Sequence, residues 1–456
     1  MAGRDCNRRS PRARTVTRVP SVLWFRRDLR LADHPALSAA AESDGQVAGL
    51  FVLDPTLLVR GRPRTERLLA SLAALDEQTG GRLIVRSGRP EEVVAALARE
   101  VGATTVHVSE ETTPYGRRRD DRVRAALERD GRELIATGSP YAVTPGRVLK
   151  DDGTPYRVFT PFSRAWRQHG WRAAAEAVSP DWISADGEPV EARDDVEAGE
   201  AAALARWRAF RDERLDDYGD QRNRPDLDTT SRLSVPLKYG EIHPRTILGD
   251  IARRDGAGRF VDELCWREFY ADVLLHNPAS AWNDLTGAIE RISYDDPDPE
   301  LFGAWQEGRT GFPFVDAGMR QLLAEGWMHN RVRMVTASFL TKDLHIWWPH
   351  GARHFLDHLI DGDIASNNHG WQWVAGTGTD ASPYFRVFNP VTQGLKFDPA
   401  GDYVRRWVPE LRHLEGKAAH EPWKHPGGYD HGYPRQIVDH GHARAEALAR
   451  YELARA

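Results

Sequence analysis

Between Val22 and Thr137 the chain repeats one unit, a short β-rich run followed by an amphipathic helix. The runs are VLWF at 22–25, VAGLFVL at 47–53, RLIV at 82–85, TVHV at 105–108 and ELIA at 133–136. Residues 65–78 and 90–101 carry apolar side chains at helical spacing, and Pro90 stands at a helix start, where its missing N–H costs nothing. Strands separated by helices pair in parallel, which predicts a doubly wound α/β sheet. WFRRDLR (24–30) follows the first strand where a dinucleotide or P-loop fold would place glycines, so both of those readings fail.

Residues 138–200 are rich in Pro, Gly and Asp and read as a connector with helical turns around 163–178; beyond Glu200 the pattern turns helical. A chain of 456 residues holds two or three domains. The expected division is a disordered basic arm at 1–20, an α/β domain at 21–137, the connector at 138–200 and an all-α domain at 201–456. The arm carries six Arg and lacks the apolar stretch of a signal peptide. Cys6 and Cys265 are too few for a four-cysteine cluster and fit a reducing, cytoplasmic setting. No apolar run reaches the roughly 20 residues of a membrane span. A net charge of −5 argues against indiscriminate coating of nucleic acid but leaves local basic patches open.

The densest chemistry lies in DGDIASNNHGWQWVAGTGTDASPYFRVFNP (361–390), where Asp, Asn, Trp and Gly crowd together as they would around a flat redox-active ring. A helix through 262–276, stopped at Asn277-Pro278, puts Glu263, Trp266, Arg267 and Tyr270 on one face. That stripe suits a stacked, hydrogen-bonded, negatively charged substrate; a surface Arg–Glu pair beside one buried Trp reads the same way. A second helix is expected to run through 319–344, with Asn330 and Met334 facing together beside Arg331 and Arg333. TTSRLS (229–234) offers hydroxyls for a pyrophosphate or for an ordinary helix cap. His350, His354 and His358 recur at a spacing that can hold zinc, but a solvated polar face explains them equally, and no metal is expected. Ten of the fifteen Trp follow residue 260, a density that points to rings facing a ligand.

WFRRDLR, TSRLS, ELCWREFY, GWMHNRVRM and the 361–390 stretch, in that order, closely resemble the DNA photolyase and cryptochrome family, in particular microbial cyclobutane pyrimidine dimer photolyases. The resemblance runs from about Val22 to Leu411. It implies an N-terminal α/β domain holding an antenna chromophore and an all-α domain binding FAD. It implies light-driven repair, by a cytoplasmic monomer, of cyclobutane dimers in ultraviolet-damaged DNA, with a cryptochrome-type receptor or a (6-4) photolyase as alternatives. By position, Tyr218, Thr230, Ser231, Arg232, Leu233, Ser234, Phe260 and Arg267 would line the FAD, and Arg333, Asp361, Gly362, Asp363 and Asn367 would surround the flavin. Asn at 367, where plant cryptochromes carry Asp, favours repair. Glu263, Trp266, Asn330, Met334 and Trp373 match the dimer pocket; (6-4) enzymes typically carry His at the place of Met334. Arg222, Arg331, Arg386 and Lys396 would hold the DNA backbone.

The family's electron-transfer chain matches at Trp371 and Trp348. Its surface end falls on Tyr294, with a detour through Trp347 or Trp305 left open. Phe260 stands where Trp is common, and His369 where Gly is. PYGRRRD (114–120) resembles the segment of photolyases that bind 8-hydroxy-5-deazaflavin; methenyltetrahydrofolate or an empty pocket are the alternatives.

Overall fold

Alternate residues of the first strand bury on opposite faces, and this places helices on both sides of the sheet. In the computed structural model the described residues are 19–42, 45–58, 63–191, 193, 196–286, 292–380 and 386–455; most of the expected basic arm and the 381–385 part of the 361–390 stretch lie outside them. Five parallel strands, β1 (Ser21–Phe25), β2 (Gln46–Leu53), β3 (Ile84–Ser87), β4 (Thr105–Val108) and β5 (Glu133–Ala136), are ordered β3-β2-β1-β4-β5. Ser21 stands opposite Val47 on one side and Thr105 on the other. The helices α1 (Pro35–Glu42), α2 (Pro63–Gln78), α3 (Pro90–Glu100) and α4 (Pro114–Arg129) each begin at a proline, whose fixed φ pre-organises the first turn. Val22 and Trp24 pack with Val94, Leu97, Val123 and Leu127 of α3 and α4. Leu23 and Phe25 pack with Ala36, Leu37, Leu72 and Leu75 of α1 and α2.

The segment read as a connector is more ordered than its composition suggests. It contains α5 (Phe159–His169), which stops at Gly170 with φ +67°, so the helical turns predicted beyond that point do not form. Asp181–Trp182 then pairs in parallel with Gln46–Val47 as a sixth strand, β6, beside β2. Trp182 explains the return: its ring packs against Phe25 at 6.4 Å.

The remainder is helical: α6 (Glu200–Glu213), α7 (Tyr218–Gln221), α8 (Ser234–Tyr239), α9 (Pro244–Ile251), α10 (Gly258–His276), α11 (Pro299–Gln306), α12 (Pro313–Glu325), α13 (Asn330–Ser338), α14 (Trp348–His358), α15 (Ile364–Ala375), α16 (Pro390–Phe397), α17 (Asp402–Trp407) and α18 (Lys417–His420), with His440–Arg455 last. The single helix expected over 319–344 is two. Gly326 (φ +62°) ends α12, and His329 caps α13 by accepting the Arg331 N–H at 3.2 Å, so Asn330 sits at a helix start and not mid-helix. Among the described residues no helix is long and apolar enough to cross a membrane.

The loop after β1 joins the two parts. The Leu29 N–H donates to the Tyr239 carbonyl at 3.1 Å, and Arg30 to that of Gly240 at 3.0 Å. Leu31 and Ala32 donate to the Glu200 carboxylate at 2.9 and 3.1 Å, and Asp33 accepts from Ala175 N–H at 2.8 Å and pairs with Arg245. Gly240 has φ +71°, and a Cβ there would stand 2.0 Å from the Arg27 carbonyl oxygen. Gly240→Ala is therefore expected to destabilise the fold by about 3 kcal/mol or more, through backbone overlap added to left-handed strain. Gly102→Ala, with φ +72° but open space around it, should cost about 1 kcal/mol, and denaturant unfolding of both variants checks the contrast.

The same joint has a pH signature. Burial acts to raise Asp33, but the His243 hydrogen bond and the Arg245 charge prevail and hold it at about 2. Its folded value lies below the unfolded one, so its stabilisation is full above about pH 4 and is lost as the pH falls through the folded value. Asp33→Asn should flatten the acid limb of the stability curve between about pH 4 and 2, followed by circular dichroism. An unaltered limb would count against this assignment.

Candidate functional site

At the start of α15 two carboxylates meet an excess of cations. Asp363 caps the helix, accepting the Ser366 N–H at 3.0 Å, while its other oxygen takes the Arg27 guanidinium at 2.7 Å. Burial opposes ionisation, but Arg27, Lys238 and Arg267 outweigh it and hold Asp363 well below the usual carboxylate range. Asp361, almost fully buried, takes Arg333 at 2.9 and 3.2 Å, and Arg333 also donates to the Met328 carbonyl at 2.7 Å. Gly362 is buried between them, leaving room for Arg64. Burial, followed by the Arg27 charge, pushes the Lys238 ammonium down to about 7. A site that keeps several cations this close gains from an anionic ligand.

Arg267 is anchored to the protein backbone beside this space. It donates to the Pro140 and Leu237 carbonyls at 2.9 and 3.2 Å and lies 4.5 Å from the Tyr141 ring, so it braces the wall. Asn367 commits its amide hydrogens to the Ala352 carbonyl at 3.1 Å and Asn368 Oδ1 at 2.9 Å, which leaves its own carbonyl oxygen as an acceptor. His369, two residues on, points elsewhere: it meets Ser280 Oγ at 3.0 Å and the Ala365 carbonyl at 2.8 Å and stacks on Tyr270.

In TTSRLS the hydroxyls of Thr229 and Thr230 are buried without a hydrogen-bond partner. Ser231 accepts from Leu233 N–H at 3.3 Å, Leu233 is buried, and Ser234 opens α8. Arg232 turns aside to Asp228 at 2.9 Å and Glu325 at 3.4 Å, over the Trp327 ring. Tyr218 packs edge-on to Phe260 at 5.2 Å, and Phe260 stacks on Trp207. Orphaned hydroxyls, a cationic excess and a buried aromatic wall together fit a flat ring joined to a pyrophosphate.

On α10, Glu263 pairs with Arg222, while burial pushes its carboxyl up. Glu263, Trp266, Arg267 and Tyr270 are all half-buried on this helix, as the spacing predicted. Trp266 stacks on Phe159 at 3.7 Å and 6°, and the Phe159 N–H is held by the Asp380 carboxylate. Phe159 was missed because no local motif marks it, and Asp380, though inside the 361–390 stretch, was assigned no role because its partner lies in a distant part of the chain. Asn330 is exposed, and Met334 and Trp373 are half-buried against one core cluster. Arg331 donates to Asn223 at 2.8 and 3.2 Å and lies 4.5 Å from the Phe397 ring, with Lys396 5.2 Å from the same ring. Arg386 is exposed, its carbonyl taken by Lys342.

Trp371 touches Phe355 at 4.9 Å and Trp305 at 6.1 Å, and a Cβ at Gly351 would stand 2.3 Å from its ring. Trp348, one turn before Gly351 on α14, is fully buried and donates to Asp284 at 2.6 Å. Trp347 meets Trp348 at 6.4 Å, and Tyr294 lines one cavity with Trp347, Asp284 and His350. Of the ten Trp after residue 260, Trp305 and Trp348 are fully buried core residues, so packing accounts for those two. Of the three spaced histidines, His354 is buried between Trp305 and His358 and accepts from Gln306 at 3.2 Å.

The strand order reverses between β1 and β4, and a cluster of charges and one aromatic ring gathers beyond their carboxyl ends. Arg26 and Arg119 both hold Asp120, at 2.6 and 2.9 Å, and both approach the Trp24 ring within 5 Å. Tyr115 donates to Asp54 nearby, while Arg117 and Arg118 face solvent.

Residues 21–181 match the DNA photolyase family and 260–453 the FAD binding domain of DNA photolyase. The deoxyribodipyrimidine photo-lyase of Streptomyces griseus is 43% identical, the alignment covering 95% of this chain and 99% of the relative. A class III photolyase from Agrobacterium tumefaciens superposes with TM-score 0.87 at 39% identity, over 98% of this chain and 99% of that one. An archaeal photolyase from Sulfolobus tokodaii with two FAD molecules superposes with TM-score 0.85 at 31% identity, over 95% and 100%. With a shared fold, identity well above 30% over nearly full length, and these motifs in one site, the chain belongs to the DNA photolyase family.

Proposed function

We propose that this protein is a deoxyribodipyrimidine photo-lyase that splits cyclobutane pyrimidine dimers in ultraviolet-damaged DNA under blue light. The observation that carries the reading is the juxtaposition, along α10, α13 and α15, of a cation-rich ligand cradle with an aromatic face that bears a carboxylate raised by burial. FAD, when bound and reduced, would supply the one-electron, light-driven redox chemistry of the reaction. Thr230 through Ser234 and Tyr218 hold the pyrophosphate and ribityl side. Phe260 and Arg267 form the wall. Arg333, Asp361, Gly362, Asp363 and Asn367 surround the ring, where Arg27 and Lys238 add positive charge suited to an anionic reduced form. Asn367 offers a neutral amide and no exchangeable acid proton, which favours retention of a reducing cofactor.

Photolyases act on an extruded base, a general property of such enzymes. Trp266, backed by Phe159, and Trp373 form the stacking surfaces, with Met334 filling apolar space and Asn330 and Glu263 hydrogen-bonding the pyrimidine edges. Arg222, Arg331, Arg386 and Lys396 engage phosphates, which makes binding steeply salt-dependent. Arg222 has two uses: drawn to a phosphate, it releases Glu263, whose half-buried carboxyl then holds a proton and donates a hydrogen bond to the reduced dimer. Trp371, Trp348 and Tyr294 would carry electrons inward to return an oxidised flavin to its reduced, working form. Residues 21–137 form the antenna domain and 201–456 the catalytic one. The paired Arg26 and Arg119 beside Trp24 suit an anionic flat antenna, for which 8-hydroxy-5-deazaflavin is the choice over methenyltetrahydrofolate. The protein acts as a cytoplasmic monomer.

Purified protein, a reductant and blue light should restore intact thymines in an ultraviolet-damaged oligonucleotide, and the absorption spectrum should carry a second band beside that of FAD. Flavin-loaded protein that leaves dimers intact would move the reading to a light receptor. If the neutral carboxyl is the working form, Glu263→Gln should keep most of the repair rate while Glu263→Ala loses about tenfold, the worth of one buried hydrogen bond. Both should retain FAD. Equal losses in the two variants would remove the hydrogen-bond-donor role.

A further inference from the structure

We propose that a groove in the connector, at residues 150–161, holds the nucleotide next to the extruded dimer on the damaged strand. Lys150 and Arg157 take its phosphates, and Tyr156 offers a ring to its base or sugar. The inference rests on the proposed repair of dimers at the Trp266 face and carries the contact beyond the lesion.

A tight turn and the start of α5 build the groove. Leu149 and Pro155 bridge antiparallel, and the Lys150 N–H donates to the Thr154 carbonyl at 3.0 Å. Gly153 turns the chain with φ +77°, and Asp152 accepts the Thr154 N–H at 2.9 Å, so the turn is held by its own residues. Tyr156 is half-buried, edge-on to Phe162 at 6.2 Å. The space, about 470 Å³, is lined by Lys150, Asp151, Tyr156, Arg157, Val158 and Pro161. That volume lies in the range of about 300–1,000 Å³ that holds a small-molecule-sized group. Val158 and Pro161 stand on either side of Phe159 in the chain, and the Phe159 ring stacks on Trp266 at 3.7 Å. The groove therefore opens beside the stacking wall of the candidate dimer pocket.

Charge and continuity choose the occupant. Nearby cations are spent on the protein: Arg167 of α5 pairs with Asp262 at 2.7 Å, and Arg222 pairs with Glu263. Among the described residues neither Lys150 nor Arg157 makes a salt bridge or a side-chain hydrogen bond, and both are exposed. Asp151 is the one carboxylate of the lining, so two cations leave the groove positive in a chain of net charge −5. Val158, 44% exposed, adds apolar surface that nothing in the chain covers. Cations set beside an aromatic ring and apolar surface form the pattern that binds single-stranded nucleic acid. An acidic peptide would match the charge equally well, but continuity favours the strand. An extruded dimer stays covalently joined to its neighbours, so the strand leaving the pocket crosses the pocket rim. Its next nucleotide reaches this groove as an intramolecular contact, at a high effective concentration that a separate peptide lacks.

The test measures, in the dark, how tightly the FAD-loaded protein binds a duplex oligonucleotide with one thymine dimer, across a range of salt. The variants are Lys150→Gln, Arg157→Gln, the two combined, and Asp151→Asn, all at exposed positions. FAD content and thermal melting verify that each folds. Each Gln variant should lower the slope of log affinity against log salt by about 1, and the pair by about 2, with about a tenfold loss of affinity for the pair. Asp151→Asn should bind more tightly than the parent. On a bare dimer dinucleotide, which has no flanking phosphate, the pair and the parent should repair at the same rate under light. With a flank on one side of the dimer only, the loss should appear for one side and vanish for the other. Unchanged affinity and slope in the pair, while the parent still prefers damaged DNA, would overturn the groove and leave the repair reading standing. Binding of a polyglutamate peptide by the parent and not by the pair would then assign the groove to an acidic protein segment. An equal loss on the bare dinucleotide, or one shared evenly by both flanks, would also overturn it. A parent protein indifferent to damage would overturn the repair reading and this inference together.

Discussion

The buried ion pair between Arg27 and Asp363 ties together parts of the chain that are 336 residues apart, and the rest of the architecture depends on it. Arg27 leaves the end of β1 and Asp363 caps α15, so the carboxyl edge of the parallel sheet and the helix of the candidate ligand site meet at one contact. A buried ion pair is expensive unless both charges are fully matched. Here Glu111, Tyr141, Lys238 and Arg267 complete the surroundings. The neighbouring residues extend the joint: Leu29 and Arg30 bond to Tyr239 and Gly240, Leu31 and Ala32 to Glu200, and Asp33 to Arg245. WFRRDLR thus stands where a nucleotide fold would bind phosphate, and it binds protein instead.

The joint also shapes the electrostatics of the site. The chain carries a net negative charge, yet Arg27, Lys238, Arg267 and Arg333 converge around two carboxylates, and Arg222, Arg331 and Lys396 gather near Phe397 and Asn223. Local excess, and not the sum, decides what a surface attracts. Burial lowers the Lys238 ammonium to about 7, and a bound anion beside it would favour its charged form. The aromatic network uses the opposite device: Trp371 and Trp305 sit among apolar groups, and a carboxylate touches the chain of rings at Trp348.

The sequence by itself determined the elements whose partners are local or periodic. Five strands were legible from β-rich runs between helices, because alternation fixes which side chains of Val22–Phe25 face which layer. The stripe Glu263, Trp266, Arg267, Tyr270 was legible because helical spacing alone brings it to one side. The motifs around 361–390 were legible as chemistry, although the partners of that chemistry were not. Only the tertiary structure decided that Arg27 pairs with Asp363, that Arg267 and Arg232 spend their donors on the protein, and that Phe159 backs Trp266. It also decided that Trp182 returns to the sheet, that Gly326 splits a helix, and that Asp284 meets Trp348. Each of these is a contact between residues far apart in the chain, set by where two packed elements cross. Spacing along a sequence carries no information about such a crossing, since a side chain's free energy depends on neighbours that only the closed core supplies.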